Sequence, residues 1–267
     1  MGNIALGRYM DLNSVVNKMD PRTKIMVLLI VMIAIFIPAG FWGYIPIAIF
    51  ILAALKLSKL SIRFALRSMK PMMFMMVFLL VINVLVMKTG TLWFKWGWFS
   101  IYSDAVIQTL YIILRLLLMI VMTTILTATT KPLDLTLGLE KLLKPFEAIG
   151  LPAHIIAMMI SIALRFIPTL IEETQRIMNA QASRGVDLEN GTLKEKVMAV
   201  LALIVPLFVS AFDRADQLAN AMEARGYDPS RPRTRYKMLK MHSADYMALC
   251  MALIVLLSDI GLWMAGI

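Results

Sequence analysis

Two arginines stand in the same frame 41 residues apart. "AQASRGVD" (Ala180 to Asp187) and "AMEARGYD" (Ala221 to Asp228) both spell Ala-x-x-[Ala/Ser]-Arg-Gly-x-Asp. A guanidinium makes no bonds of its own, but its planar fork of N–H donors binds a carboxylate, or a set of backbone carbonyls, in two places at once. The chemistry offered by Arg184 and Arg225 is therefore recognition. Each tripeptide is also an ordinary helix ending, with Gly185 and Gly226 suited to the position after the cap. The arginines then complement the negative end of the helix dipole, and Asp187 and Asp228 fall in the turn beyond. Repetition carries the reading further, because two similar tips on one chain invite a partner with two similar sockets, such as a dimeric or pseudo-dimeric protein.

Other chemistries are not written in the chain. No G-x-x-x-x-G-K-[ST] phosphate loop occurs, so any ATP must be hydrolysed elsewhere. There is no Ser/His/Asp or Cys/His arrangement and no acidic cluster inside an apolar run. One cysteine, Cys250, and two distant histidines, His154 and His242, offer neither a disulfide framework nor metal-ligand spacing. The chain is expected to be non-catalytic, with no metal and no cofactor of its own.

The elements that must position the arginines are membrane helices. Of 267 residues 60% are hydrophobic and 16% charged, against roughly 25% charged in soluble domains. The net charge of +10 sits beside apolar runs, where it sets topology against an anionic leaflet and does not suggest nucleic acid. The N-terminal segment is too polar for a cleavable signal, so the first spanning helix is expected to do the targeting. Ile25 to Leu55 is uncharged for 31 residues with basic flanks on both sides. This favours two short helices turning near Pro38-Ala39-Gly40 over a single tilted one. Further spans are expected over Pro71 to Met87, Ala105 to Ala128 and Ala244 to Ala265. Between the first two of these, "TLWFKWGWFSIY" concentrates Trp93, Trp96, Trp98 and Tyr102 in the manner of an aromatic belt at the outer interface. The expectation is an all-α integral membrane protein of about five crossings, N-terminus in the cytoplasm. Inside the spans, Arg115 and Asp259 are read as interfacial or paired with a neighbouring helix, and Asn83 as interhelical glue.

The arginines lie in the polar third. Thr129 to Ser243 holds 15 of the 27 Lys+Arg and 12 of the 17 Asp+Glu. Three parts follow: 1–128 with the N-terminal segment and four membrane helices, 129–243 as a cytoplasmic or interfacial region, and 244–267 as the last membrane helix. Within the middle part, "HIIAMMISIALRFIPTLIEETQRIMNA" and "KVMAVLALIVPLFVSAFDRADQLANA" begin apolar and end charged. Each carries a proline, Pro168 or Pro206, eight residues before an arginine, Arg176 or Arg214. An internal proline kinks a helix, so each arginine tip is expected at the end of a bent lever. A methionine run, Met69 to Leu80 with Met72, Met73, Met75 and Met76, suits packing filler or a surface that re-packs against exchangeable partners.

"SRG" (Ser183, Arg184, Gly185), "ARG" (Ala224, Arg225, Gly226) and "MDPRTK" with Asp20, Pro21, Arg22 and Lys24 together resemble the signatures of EcfT. That family is the transmembrane T component of energy-coupling factor transporters, the vitamin-importing branch of the ABC transporters. Ser183 replaces the family's alanine, a small-for-small change. The resemblance spans essentially the whole chain. It implies a bacterial plasma-membrane protein whose two long helices are coupling helices. Arg184 would dock one ABC-type ATPase subunit and Arg225 the other, the ATP and magnesium being bound there. Met178, Val186, Leu218, Met222 and Tyr227 would complete the docking surfaces, and the membrane helices, with Met72, Met73, Met75 and Met76, would hold a small substrate-binding S component. A secondary transporter or channel, which would need convergent polar groups near the midplane and symmetric halves, and a scaffold without ATP coupling are the competing readings.

Overall fold

The computed structural model describes residues 9–86, 89–96, 99–150, 152–186, 192–228 and 238–266. Asp187, Trp98 and the basic run Arg231 to Lys237 lie outside the described residues. The chain divides into two compact units, Met1–Leu142 with Leu239–Ile267, and Leu143–Met238.

In the first unit a short helix α1 (Val15–Lys18) precedes α2 (Pro21–Phe36), α3 (Gly40–Leu57), α4 (Ile62–Arg67) and α5 (Lys70–Val86). A two-stranded antiparallel hairpin, β1 (Leu92–Trp96) and β2 (Phe99–Tyr102), leads into α6 (Ser103–Thr129) and α7 (Pro132–Leu143). The chain returns for α10 (Ser243–Met264). The boundaries follow local chemistry. Asp20 caps α2 by accepting from the Arg22 amide, with Pro21 in the first helical position, where its missing N–H costs nothing. The break before α3 falls at the Pro38-Ala39-Gly40 turn, and Gly40 takes a φ of +60° there. The core is built at helical spacing: Val27, Val31 and Ile35 of α2, Tyr44, Ile47, Ile51 and Leu55 of α3, Leu118, Met122 and Ile125 of α6, Ala252 and Val255 of α10.

The outward faces are as apolar as the core, with Leu29, Ile33, Ile49 and Phe74 all exposed. Such surfaces need a hydrocarbon solvent. Polar groups between the helices are paired accordingly. Asn83 of α5 donates to the Thr109 hydroxyl of α6 at 3.0 Å. Arg115 donates to the Tyr44 hydroxyl at 3.2 Å and lies over the rings of Phe36 and Tyr111 at 5.4 and 5.1 Å. The hydroxyls of Thr109, Thr123, Thr127 and Thr129 donate to carbonyls one turn back. Asp259 of α10 is buried against Gly43, and its carboxyl oxygens have no hydrogen-bond partner among the described residues.

In the second unit a 3-10 turn (Lys144–Ile149) precedes two long helices, α8 (Ala153–Ser183) and α9 (Leu193–Ala224). The latter opens with a capping box in which Thr192 and Glu195 satisfy each other's amides.

The structure holds an all-α membrane protein with one hairpin, and it redistributes the spans. Among the described residues five helices are long and apolar enough to cross a membrane: α3, α6, α8, α9 and α10. At 16 residues α2 is shorter than the roughly 20 a bilayer needs when upright. The α5 span meets the test only together with α4, from which it is bent by 59°. The aromatic segment expected as a plain loop pairs as strands, Trp96 opposite Phe99 and Phe94 opposite Ile101.

Candidate docking site

The second unit positions both arginines by crossing α8 and α9 in antiparallel sense. Arg214 of α9 pairs with Glu173 of α8 at 2.9 Å, and eight residues further along α8 Gln181 donates to the carbonyl of Ala202 at 3.4 Å. As the numbers rise in one helix they fall in the other. The second contact has a local cause. Pro206 has no amide hydrogen, so the carbonyl four residues back, Ala202, loses its helical donor, and Gln181 supplies a replacement from across the pair. Pro168 and Pro206 both lie inside continuous helices of 31 and 32 residues.

Both helices end in the same motif. In α8 the cap is Arg184, the Gly185 amide donates to Ala182 at 3.0 Å and the Val186 amide to Gln181 at 3.1 Å. In α9 the cap is Arg225, the Gly226 amide donates to Glu223 at 2.8 Å and the Tyr227 amide to Met222 at 2.9 Å. These are the paired six-to-one and five-to-two bonds of a Schellman ending. It requires a left-handed residue after the cap, and Gly185 and Gly226 have φ of +84° and +68°. A Cβ at either would meet nothing within 4 Å, so conformation alone calls for glycine, at about 1–2 kcal/mol against any other L-residue. Gly226→Val is expected to unravel the last turn of α9 while leaving the rest folded. Hydrogen exchange at the Gly226 and Tyr227 amides checks this, and protection equal to the parent's would refute it.

The arginine side chains themselves are exposed and have no hydrogen-bond or ion-pair partner among the described residues. Ser183 and Ala224 close the helices and are exposed, the Ser183 hydroxyl turning back to the Asn179 carbonyl at 3.0 Å. Met178, Val186, Leu218, Met222 and Tyr227 are half-buried. With 1.5 Å per residue and the register set by the two cross-contacts, the tips stand on the order of 35 Å apart along the pair. The structure thus offers two like cationic tips at opposite ends of one helix pair. Beyond the proline-containing stretches, α9 exposes Val197, Leu201, Val205, Phe208 and Phe212 at helical spacing, and α8 exposes Met159, Ile160 and Ile167.

The N-terminal motif lies in the first unit, with Asp20, Pro21 and Lys24 buried and Arg22 half-buried. The Asp20 amide donates to Asp245 at 2.9 Å, and the Arg22 guanidinium forks onto the Asp20 carboxylate at 3.0 and 2.7 Å. Burial pushes the Asp20 carboxyl up, but the hydrogen bonds and charge of Arg22 outweigh it and hold the group below its ordinary range. Lys24 donates to the Thr129 carbonyl at 3.0 Å and the Thr130 hydroxyl at 3.1 Å. Of the methionines, Met73 and Met75 are exposed and Met72 half-buried, whereas Met76 is buried, so it does not share the outward face of its neighbours. Glu173, Gln181 and Asp245 were missed by sequence reasoning. Only Asp245 carried a local signal, as the third residue of a helix behind the cap His242, whose amide it accepts at 2.7 Å.

A family profile described as "CbiQ: Cobalt transport protein" matches residues 12–236, which contain the N-terminal motif and both arginine tips. The chain belongs to the CbiQ/EcfT family. It is 46% identical over 249 residues to the energy-coupling factor transporter transmembrane protein EcfT of Macrococcus caseolyticus, covering 93% of this chain and 94% of the relative. The EcfT proteins of Thermosediminibacter oceani and Bacillus subtilis are 44% and 40% identical over 248 and 245 residues, with 93% and 92% of each chain covered. This EcfT-type chain is accordingly a multi-pass transmembrane component of the energy-coupling factor class of transporters, and its part in transport is not that of an enzyme.

Proposed function

We propose that the chain couples ATP binding and hydrolysis in two cytoplasmic ABC-type ATPase subunits to the movement of a membrane-embedded S component that carries a vitamin or other micronutrient. The observation that carries this is the duplicated ending: two exposed guanidiniums, without a partner among the described residues, held in the same Schellman geometry at opposite ends of one antiparallel pair. One tip would be a cap. Two tips so far apart call for two sockets, and a pair of like ATPase subunits provides them. The ATP and magnesium belong to those subunits, and the N-terminus lies on their side of the membrane. When the pair closes on ATP, the sockets move and the helices carried by the arginines move with them. The apolar faces of α8 and α9 and the Met73 and Met75 face of α5 are surfaces on which an S component or lipid rests.

Purification from the native membrane in mild detergent tests this reading. Two nucleotide-binding subunits and a small hydrophobic protein per chain are expected to accompany it. A homo-oligomer that transports alone would sustain the secondary-transporter reading, and a complex whose transport ignores ATP would leave a scaffold.

A further inference from the structure

The motif Asp20 to Lys24 touches four pieces of the first unit: the end of α6, α7 and Leu239, which lead into and out of the arginine-bearing segment, and the start of α10. Lys24, buried at 6% exposure, places its ammonium on the last carbonyl of α6, Thr129, and on the Thr130 hydroxyl, where the chain leaves for α7. The same Arg22 Nη2 that binds Asp20 also reaches the Leu239 carbonyl at 3.4 Å, the point at which the chain re-enters the first unit. Between these, α7 lies so close that a Cβ on Gly138 would stand 3.1 Å from the Pro21 side chain and 3.2 Å from the Arg22 amide. Asp245 then fastens the motif to the first turn of α10.

Filling such a site with apolar side chains would stabilise the fold at least as well, because buried charges lose hydration that their pairing barely returns. What charged, directional bonds add is a fixed geometry at the joints. We propose that Asp20, Arg22 and Lys24 are positioning residues that lock to α2 the two roots of the segment 143–238, the stretches 129–138 and 239–245 by which the chain leaves and re-enters the first unit, so that force entering at the arginine tips is passed on to the membrane helices. The role rests on the coupling function proposed above.

The test uses the full chain reconstituted in proteoliposomes with its ATPase pair and S component, measuring substrate imported per ATP hydrolysed. Arg22→Gln removes the Leu239 bond, and Gly138→Val pushes α7 away without touching a charge. Both are expected to lower import per ATP about tenfold, a usual size for coupling between sites, with the ATPases still attached and hydrolysis within about twofold of the parent. An unchanged ratio, or a loss of import that merely follows loss of attachment, overturns the proposal. Hydrogen exchange of the chain alone in nanodiscs gives a reading that does not depend on transport. Arg22→Gln should speed exchange in 239–245, and Lys24→Met in 129–138, each by on the order of tenfold, and unchanged rates at both roots refute the lock. If the parent complex imports nothing on ATP while the variants' roots do loosen, the coupling function fails and the lock stands.

Discussion

A chain carrying Arg184→Glu and Arg225→Glu together is expected to purify from the membrane without its ATPase subunits and to support no ATP-driven uptake. Each substitution reverses a charge at a helix end that is exposed and has no partner among the described residues. Removing one partner from a desolvated, hydrogen-bonded charge pair costs roughly 2–5 kcal/mol. Reversal adds repulsion if the socket holds a carboxylate, and it puts an anion at the negative end of the helix dipole. Attachment should therefore weaken on the order of a hundredfold for either single variant, and further for the double. Pull-down of the ATPases with detergent-solubilised chain reads the effect. Helical content is expected to stay near the parent's level and chain stability to fall by no more than about 1 kcal/mol per tip from the helix dipole, because neither guanidinium holds anything within the described residues. Full attachment by both single variants would reduce the duplicated ending to a pair of caps.

Asp245→Ala is expected to damage the fold itself. Its carboxylate is fully buried and accepts from two backbone amides, those of Asp20 and His242, at 2.9 and 2.7 Å. Removing it leaves both donors without an acceptor, at about 1–3 kcal/mol each. Arg22 and Lys24 also lose a nearby counter-charge. In a fixed detergent the unfolding midpoint should fall by roughly 5–15 °C. Asp245→Asn retains one carbonyl acceptor while facing the other amide with a donor, so its loss should be intermediate. An unaltered midpoint for the alanine variant would show that the two amides find other acceptors.

These expectations depend unequally on what the chain displays in one dimension. The turn at Pro38-Ala39-Gly40, the start of α2 at Asp20-Pro21 and both Arg-Gly endings were legible because each is decided within a few residues by φ, a cap or a missing amide. The bond from Asn83 to Thr109 was legible in kind, since a lone amide in a span needs a partner, though which hydroxyl it finds depends on packing. The relation of the arginines to each other was not legible. It hangs on Arg214 meeting Glu173 and on Gln181 meeting the carbonyl left free by Pro206, contacts fixed by how two helices cross. The methionine run was legible only as filler or partner surface, since composition cannot tell that Met76 turns inward while Met73 and Met75 face out. The strands were missed although Trp93 to Tyr102 is rich in residues that favour strands, because the same residues mark a membrane interface.

The antiparallel crossing makes α8 and α9 a ruler. Under the docking proposed above, once one arginine is seated the other would search for its socket at a fixed distance and bearing, so the second engagement would be intramolecular and the joint hold would far exceed either alone. A ruler is sensitive to length in a way that a flexible tether is not. One residue inserted in α9 between Arg214 and Arg225 would swing the second tip about 100° around its axis, whereas a whole turn would shift it about 5.4 Å with its bearing nearly kept. In such a complex the spacing of the two tips would be a fixed dimension, written into the number of residues in one helix.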